Sequence, residues 1–289
     1  MTPSPNAAHP LAHPLAHPRS APPADPTGTP LLLLAPKVTE TGLQLLTAAR
    51  RRGLRAHTAP RWEVPAELAG VRPAHLYGGP LFADAVGRDL GLALLDAPAD
   101  WLATLPYDLT RRRVEFTTLA EARRLRGPAF VKPPVDKVFA ARVHPDGSAL
   151  PGPDVLDDDT PVLVSEVVRF AREYRLFVLD GQVRTASRYA VDGDLDMAAD
   201  DEYGPEVAAF AADVLAGAGG LPSAVVVDVG LLADGAGWAV VEANAAWASG
   251  GYACDPDRIL DVVLRAAGPE TTLTDADRPY CRPLPTIVR

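Results

Sequence analysis

The first ordered part of the chain combines short apolar runs with one amphipathic stretch. The run LLLLAP, which begins at Leu31, predicts a buried strand. The stretch TETGLQLLTAARRRG predicts a helix, with Thr39 or Thr41 as its N-cap and Gly53 at its end. Two strands, LRAHTAP and HLYGGP, and a second helix, LFADAVGRDLGLAL, follow. Strand, helix and strand in this order indicate a small parallel α/β unit.

The second half of the chain is richer in predicted strands. Strand character is present in PAFVKPP, PVLVSEVVRF, EYRLFVL, GQVRTASRYAV, AVVVDVGLL and GWAVVEANAA. Two helices are predicted, over EYGPEVAAFAADVLAGAGG and DPDRILDVVLRAAG, and an irregular tail from Pro269. Strands mixed with a few long helices predict an α+β architecture for this half.

Composition divides the chain into four segments. Residues 1–30 are rich in proline, alanine and histidine and contain the repeat HPLAHPLAHP, which predicts a disordered tail. Its histidines, His9, His13 and His17, leave adventitious binding of a transition metal as an alternative. We place the α/β domain at 31–107, the strand-rich domain at 108–268 and a C-terminal tail at 269–289.

Length and charge narrow the functional classes. With 289 residues, of which 47% are hydrophobic, the chain is long enough for a substantial core. A net charge of -9 argues against a nucleic-acid partner, and no apolar run approaches the roughly 20 residues of a membrane span. Cys254 and Cys281 have neither disulfide nor metal spacing, and the N-terminus lacks a secretory pattern, so we predict a cytoplasmic protein.

The segment from Ala224 to Trp247 predicts a hairpin whose loop is ADGAG. If the hairpin is symmetric about Gly235, Asp228 lies opposite Glu242, and Asn244 shares their face because side chains alternate with period two. The opposite face is then wholly apolar and is predicted to be core. Its members are Val225, Val227, Val229, Leu231, Ala239, Val241 and Ala243.

Two opposed carboxylates on one sheet face repel each other, and a bound dication removes that cost. Magnesium prefers hard oxygen ligands, which Asp228, Glu242 and Asn244 supply. The same residues allow a second interpretation, a solvated acidic face without metal. A register error of one residue would separate the three side chains.

An acidic residue on one strand followed by Glu-x-Asn on the next resembles the metal signature of ATP-grasp enzymes, such as D-alanine–D-alanine ligase and the ribosomal-protein glutamate ligases. The resemblance implies a nucleotide clamped between two α+β subdomains, preceded by a small α/β pre-ATP-grasp domain. It also implies ATP and Mg²⁺ as cofactors. The stretch VVEANAAWASGGYACDP resembles a poorly characterised bacterial and phage branch of the superfamily.

The segment FVKPP places Lys132 at the end of a strand, where the resemblance implies a contact with ATP phosphates. In the ligases a glycine-rich phosphate loop follows this motif. Here PVDKVFAAR follows and has no glycine, so backbone amides wrap phosphates less closely. Lys137 is a candidate to supply the missing charge, or is a solvated loop residue.

The segment VLVSEVVRFAREYRLFV carries a second match. The resemblance implies that Glu166, Val167 and Val168 form the adenine-binding hinge and that Glu173 binds the ribose hydroxyls. Arg175, two residues later on the same strand face, is predicted to point at the transferred phosphate. The alternative for Glu173 and Arg175 is an ordinary ion pair on that face.

Two further arginines are candidates for phosphate contacts. Arg188, in TASRYAV, is predicted to contact the γ-phosphate or an acyl phosphate. Arg113, in LTRRRVEF, falls where the ligases place an earlier basic contact, and Arg112 competes with it for that role. A cluster of three arginines is otherwise typical of a solvated surface.

The predicted function is an ATP- and Mg-dependent carboxylate–amine ligase that forms an amide through an acyl phosphate. Its partners would be small-molecule or peptide carboxylates and amines, bound around Tyr77–Pro80 and Trp247–Tyr252. Three alternatives stay open: an ATP-grasp kinase, a nucleotide-binding protein without catalysis, and an interaction protein with an incidental acidic hairpin. The sequence leaves the oligomeric state open.

Overall fold

A computed structural model describes residues 28–135, 138–198, 204–217 and 219–286. The predictions for residues 1–27 therefore lie outside the described part. The first unit is a three-stranded parallel sheet of order β2-β1-β3 with two helices. Its elements are β1 (Leu31–Leu34), α1 (Glu40–Arg51), β2 (Arg55–Thr58), β3 (Ala74–Tyr77) and α2 (Pro80–Leu90).

The ends of both helices follow from local chemistry. The Thr39 hydroxyl accepts a hydrogen bond from the Gly42 N–H at 3.0 Å and so caps α1. The prediction that the second helix continues to Leu94 is wrong. Gly91 adopts a left-handed φ of 64° and ends α2, and the residues after it form β4 (Leu92–Leu94).

The second unit is a four-stranded antiparallel sheet of order β5-β8-β6-β7. The predicted strand PVLVSEVVRF is divided, because β8 ends at Ser165 and the chain then crosses to the next sheet. The elements of this unit are α3 (Trp101–Thr104), α4 (Tyr107–Thr110), β5 (Val114–Thr118), α5 (Leu119–Ala122), β6 (Ala129–Lys132), β7 (Arg142–His144) and β8 (Pro161–Ser165).

The third unit is a five-stranded antiparallel sheet of order β11-β10-β9-β12-β13. No described helix is long and apolar enough to cross a membrane. The elements are β9 (Phe170–Leu179), β10 (Gln182–Val191), β11 (Asp194–Ala198), α6 (Pro205–Gly217), β12 (Ala224–Leu232), β13 (Trp238–Asn244), α7 (Pro256–Ala266) and β14 (Ala267–Pro269), which pairs with β4.

The central strand β12 is buried on both faces. Val226 packs into the core that the third unit shares with the parallel sheet and α7. Val225, Val227 and Val229 pack on the opposite side, into the core beneath α3 and α6. A polar side chain on β12 is therefore held between two apolar layers, and Asp228 occupies that position with 1% exposure.

The C-terminal tail, as far as residue 286, has two short 3₁₀ turns after β14, in agreement with the predicted irregular segment. It nevertheless packs tightly against the rest of the molecule. The carboxylate of Asp277 accepts hydrogen bonds from the N–H and hydroxyl of Ser223, both at 2.7 Å. Arg282 donates to both carboxylate oxygens of Asp84 on α2 at 3.1 Å. The tail thus fastens the first unit to the third.

Candidate nucleotide and metal site

The β12–β13 hairpin has the predicted register at its polar end. Asp228 lies opposite Glu242, and Val226 opposite Asn244. Nearer the loop a β-bulge shifts the pairing, so that Val229 lies opposite Val240 instead of Val241. The predicted apolar face is therefore wrong for this part of β13. Val240 packs into the core beside Val227 and Val229, whereas Val241 is only partly buried.

The three predicted metal ligands form one polar cluster with Lys132 and Arg175. The Arg175 guanidinium donates from Nε to Asp228 Oδ1 at 2.9 Å and from Nη2 to Oδ2 at 2.6 Å. Lys132, at the end of β6, donates from Nζ to Glu242 Oε2. Asn244 Nδ2 donates to Glu242 Oε1 at 2.8 Å and lies 3.4 Å from Asp228 Oδ2. Two cations, two carboxylates and an amide thus converge between the two antiparallel sheets.

Burial and charge act in opposite directions on the two carboxyl groups. Burial raises the pKa of Asp228, against the opposing charge and hydrogen bonds of Arg175. Burial also acts to raise the pKa of Glu242, but the charge and hydrogen bond of Lys132, with the hydrogen bond of Asn244, hold it below its ordinary value. The repulsion that the sequence predicts between the carboxylates is therefore already balanced by two cations of the chain.

The donor set fits magnesium. Two carboxylates and an amide carbonyl are hard oxygen ligands, and Mg²⁺ takes a few of these together with phosphate oxygens. Among the described residues, no group of three or more His, Cys, Asp or Glu side chains could hold a metal ion, so the set depends on Asn244. A metal at this position would share the carboxylate oxygens with Lys132 and Arg175, or replace them.

Glu173 lies beside this cluster on β9 and belongs to an aromatic group that the sequence did not reveal. Tyr189 donates its hydroxyl to Glu173 Oε2 at 2.7 Å, and its ring stacks on Tyr252 with centroids 4.9 Å apart. The Arg175 Cζ lies 4.9 Å from the Tyr252 ring centroid. Burial raises the pKa of Glu173, while the Tyr189 hydrogen bond opposes the shift.

The alternative of a Glu173–Arg175 ion pair is not what the structure has, because Arg175 pairs with Asp228. Two signals existed in the sequence for the aromatic group. Tyr189 is two residues from Ser187, which lies opposite Arg175, and Tyr252 ends the run WASGGY. Period-two spacing alone would have placed Tyr189 on the Arg175 face.

Arg188 is not brought to the cluster. It lies opposite Tyr174 on β9, and the Tyr174 ring packs into the core on the other face of the sheet. The Arg188 Nη2 donates to Asp196 on β11 at 3.3 Å. A bulge between Arg188 and Ala190 directs Tyr189 to the Glu173 side instead. The predicted phosphate contact of Arg188 has no support from this placement.

The predicted hinge lies in the irregular link between β8 and β9. Glu166 accepts from the Arg113 N–H through Oε2 at 2.8 Å, and its own N–H donates to the Arg113 carbonyl at 3.3 Å. Val167 is exposed, and Val168 is partly buried. The link thus joins the sheet that carries Lys132 to the sheet that carries Glu242. Lys137 lies outside the described residues.

Two antiparallel sheets joined by a hinge, with a Lys, Arg, Asp, Glu and Asn cluster between them and a parallel α/β unit before them, define an ATP-grasp protein. A family described as an ATP-grasp domain, the second family of its clade, matches residues 109–262, more than half of the chain. The chain belongs to this family. Membership confirms the predicted superfamily and α+β fold, and it indicates an ATP-dependent ligase of a superfamily that uses ATP and Mg²⁺.

Several solved structures resemble the fold. A RimK domain protein ATP-grasp from Sphaerobacter thermophilus is 19% identical, with 82% of this chain and 100% of that chain covered and a TM-score of 0.49. D-alanine–D-alanine ligase from Bacillus anthracis is 13% identical, with 82% and 96% covered and a TM-score of 0.46. N5-carboxyaminoimidazole ribonucleotide synthetase from Thermotoga maritima is 10% identical, with 82% and 76% covered and a TM-score of 0.47. The family match, and not these scores, carries the assignment. A search of curated proteins found no match.

Proposed function

We propose that the protein is an ATP- and Mg-dependent carboxylate–amine ligase. The observation that carries the proposal is the convergence of Lys132, Arg175, Asp228, Glu242 and Asn244 between the two antiparallel sheets. A substrate carboxylate oxygen would attack the γ-phosphorus of ATP, and ADP would leave. An amine nitrogen would then attack the acyl carbon, lose a proton and displace phosphate. Positioning and charge neutralisation account for most of such a mechanism.

Each member of the cluster has a role in this proposal. Glu242, Asn244 and Asp228 would hold magnesium, which when bound neutralises phosphate charge and aligns the phosphate oxygens. Lys132 would contact the phosphates from β6. Arg175 would contribute positive charge at the transferred phosphate through the guanidinium hydrogens that Asp228 does not use.

The nucleotide would bind along the hinge. Backbone groups of Glu166, Val167 and Val168 would pair with the adenine, and Glu173 would accept hydrogen bonds from the ribose hydroxyls. Glu173 is at present bonded to Tyr189, so a ribose would have to share or replace that hydroxyl. Arg113, Lys137 and Arg188 stay predicted phosphate contacts.

The substrate pocket is proposed at the carboxyl ends of β1 and β3, where ligands of parallel sheets bind. A cavity there is lined by Tyr77, Gly78, Gly79 and Ala248, among others. Tyr77 donates its hydroxyl to the Ser249 carbonyl at 2.9 Å, and the Gly78 N–H donates to the Trp247 carbonyl at the same distance. The two segments predicted to form the pocket therefore touch, and the second directly follows the metal strand.

The cluster alone does not separate a ligase from an ATP-grasp kinase, which shares the phosphoryl-transfer step. A nucleotide-binding protein without catalysis is favoured by one observation, the absence of glycine from PVDKVFAAR. Product analysis distinguishes these alternatives. ADP release with an amide product identifies a ligase, ADP release with a phosphorylated product identifies a kinase, and binding without ADP identifies a binding protein.

The test is calorimetric titration of ATP with and without Mg²⁺ on the wild type, on Glu242→Gln, and on Glu67→Gln as an exposed control. We expect Mg-dependent binding in the wild type and the control that weakens at least about tenfold in Glu242→Gln. Screening of carboxylates with amines for ADP release then follows. Wild-type binding that is absent, or indifferent to both Mg²⁺ and Glu242, would exclude the proposed site.

A further inference from the structure

Arg112 is a buried arginine whose guanidinium is bonded to main-chain carbonyl groups. Nη1 donates to the carbonyls of Thr110 and Val240, both at 2.9 Å, and Nη2 donates to the carbonyl of Val241 at 3.3 Å. The Cζ atom lies 5.7 Å from the ring centroid of Phe170. Only 6% of the residue is exposed. The side chain is therefore fixed on several sides and cannot reach out as a mobile phosphate ligand.

Within the described residues, no carboxylate forms an ion pair with Arg112. A buried cation without a counter-ion is costly, and burial lowers the pKa of Arg112 to about 10. The carbonyl dipoles and the Phe170 ring offset part of that cost. A site of this kind indicates that the fork of donors is needed for its geometry, because an apolar side chain would fill the same space at lower cost.

The carbonyls that Arg112 binds belong to the β13 bulge. Pairing shifts between Asp228 and Val229, so Val240 and Val241 together face one residue of β12. A bulge removes regular ladder bonds and re-aims the following side chain. The next side chain is Glu242. Arg112 thus satisfies the irregular backbone one residue before the carboxylate that Lys132 binds.

We propose that Arg112 is a positioning residue, which holds the β13 bulge and thereby sets the direction of the Glu242 carboxylate toward magnesium. This proposal rests on the proposed function. The guanidinium also connects the bulge to the hinge, because Phe170 is the first residue of β9 after the link that begins at Glu166. Movement of the hinge would therefore be transmitted to the metal strand.

Neighbouring contacts support this connection. The Thr110 hydroxyl donates to the Arg112 carbonyl at 2.8 Å, and the next residue, Arg113, exchanges two hydrogen bonds with Glu166. On the other side, the Cβ of an alanine at Gly230 would lie 2.4 Å from the Phe170 ring, so that ring is closely packed against β12. The segment from Thr110 to Arg113 is thus held between the hinge and the metal hairpin.

The test compares Arg112→Lys, which keeps the charge but loses the planar fork, with Arg124→Lys on the exposed surface as the matched control. Mg²⁺ is titrated against each protein at fixed ATP, and thermal unfolding is followed separately. We expect Arg112→Lys to remain folded and to need at least about tenfold more Mg²⁺ for half-maximal ATP binding, with excess Mg²⁺ restoring binding. We expect no change in the control.

A purely structural role would lower the unfolding temperature and leave the Mg²⁺ requirement unchanged, and that result would overturn the proposal. If Arg112→Lys does not fold, Phe170→Leu removes only the ring beside the guanidinium. That variant should raise the Mg²⁺ requirement about threefold, and an unchanged requirement would again overturn the proposal. Absence of Mg-dependent ATP binding in the wild type would overturn the proposed function itself, together with this inference.

Discussion

Arg175 and Asp228 are neighbours on β9 and β12 and form a buried, two-pronged ion pair, with N–O distances of 2.9 and 2.6 Å. A third Arg175 donor, Nη1, bonds the carbonyl of Gly250 at 3.1 Å. The pair therefore fixes the loop after β13 as well as the carboxylate. Both oxygens of Asp228 are bonded, and its side chain is 1% exposed, against 31% for Glu242. Of the two carboxylates, Glu242 is the more accessible to an incoming cation.

Removal of the Arg175 charge should destabilise the fold strongly. Arg175→Met leaves Asp228 buried without its partner, and we expect the free energy of unfolding to fall by about 3–5 kcal/mol. Urea unfolding measures the change. Arg124→Met, which breaks the exposed pair with Glu121, is the control and should cost less than about 1 kcal/mol. Equal effects of the two substitutions would contradict a buried, coupled pair.

Lys132 and magnesium should compete for Glu242. In Lys132→Met the carboxylate loses its ammonium partner, so Mg²⁺ alone, without nucleotide, should raise the unfolding temperature more than it does in the wild type. ATP affinity should fall in the same variant. Thermal unfolding with and without Mg²⁺ tests the first expectation, and calorimetry the second.

The control for Lys132 is Arg142→Met, which removes an exposed cation from the adjacent strand β7. Its response to Mg²⁺ should match that of the wild type. If Lys132→Met gained no additional stability from Mg²⁺, the carboxylate would not be the group for which the two cations compete.

The contribution of Glu242 to stability should depend on pH. Burial acts to raise its pKa, but Lys132 and Asn244 hold the folded-state pKa below 4.5. The unfolded state therefore binds the proton more readily, and the stabilisation is present above about pH 4.5 and is lost as the pH falls through the folded-state pKa. The stability difference between wild type and Glu242→Gln, from urea unfolding at several pH values, should shrink below pH 4.5. A difference that grew on acidification would show the opposite sign of shift.

Two adjacent glycines in WASGGY should respond differently to alanine. The Cβ of an alanine at position 251 would lie 2.6 Å from Ile259 Cδ1 and 3.2 Å from Thr41 Cγ2, whereas at position 250 the nearest atom is Arg175 Nη1 at 4.0 Å. Gly251→Ala should lower the free energy of unfolding by about 1–3 kcal/mol. Gly250→Ala should be close to neutral and is the matched control. Similar losses for both would argue against packing as the reason for Gly251.

Much of the site was predictable because it is local in sequence. A short glycine loop and period-two alternation are sufficient to place Asp228 opposite Glu242, with Asn244 beside them. The helix start at Thr39 and the strand of four leucines follow from equally local chemistry. The resemblance in these same residues led to the correct family.

Alternation failed where a strand is irregular. The bulge in β13 exchanges Val240 for Val241 in the core, and the bulge in β10 directs Tyr189, instead of Arg188, to the Glu173 side. Neither bulge has a glycine or proline to mark it in the sequence. Packing against the neighbouring layers selects such irregularities, so a pattern read along one strand does not reveal them.

The order of residues along the chain was enough to predict the hairpin, the family and the types of residue available for phosphate and metal chemistry. The partners of the charged groups emerged only in the folded molecule: Lys132 with Glu242, Arg175 with Asp228, and Arg112 with the β13 bulge. The physical reason is that hydrogen bonding and alternation act between near neighbours, whereas a buried cation finds its partner through the packing of layers whose residues are far apart in the chain.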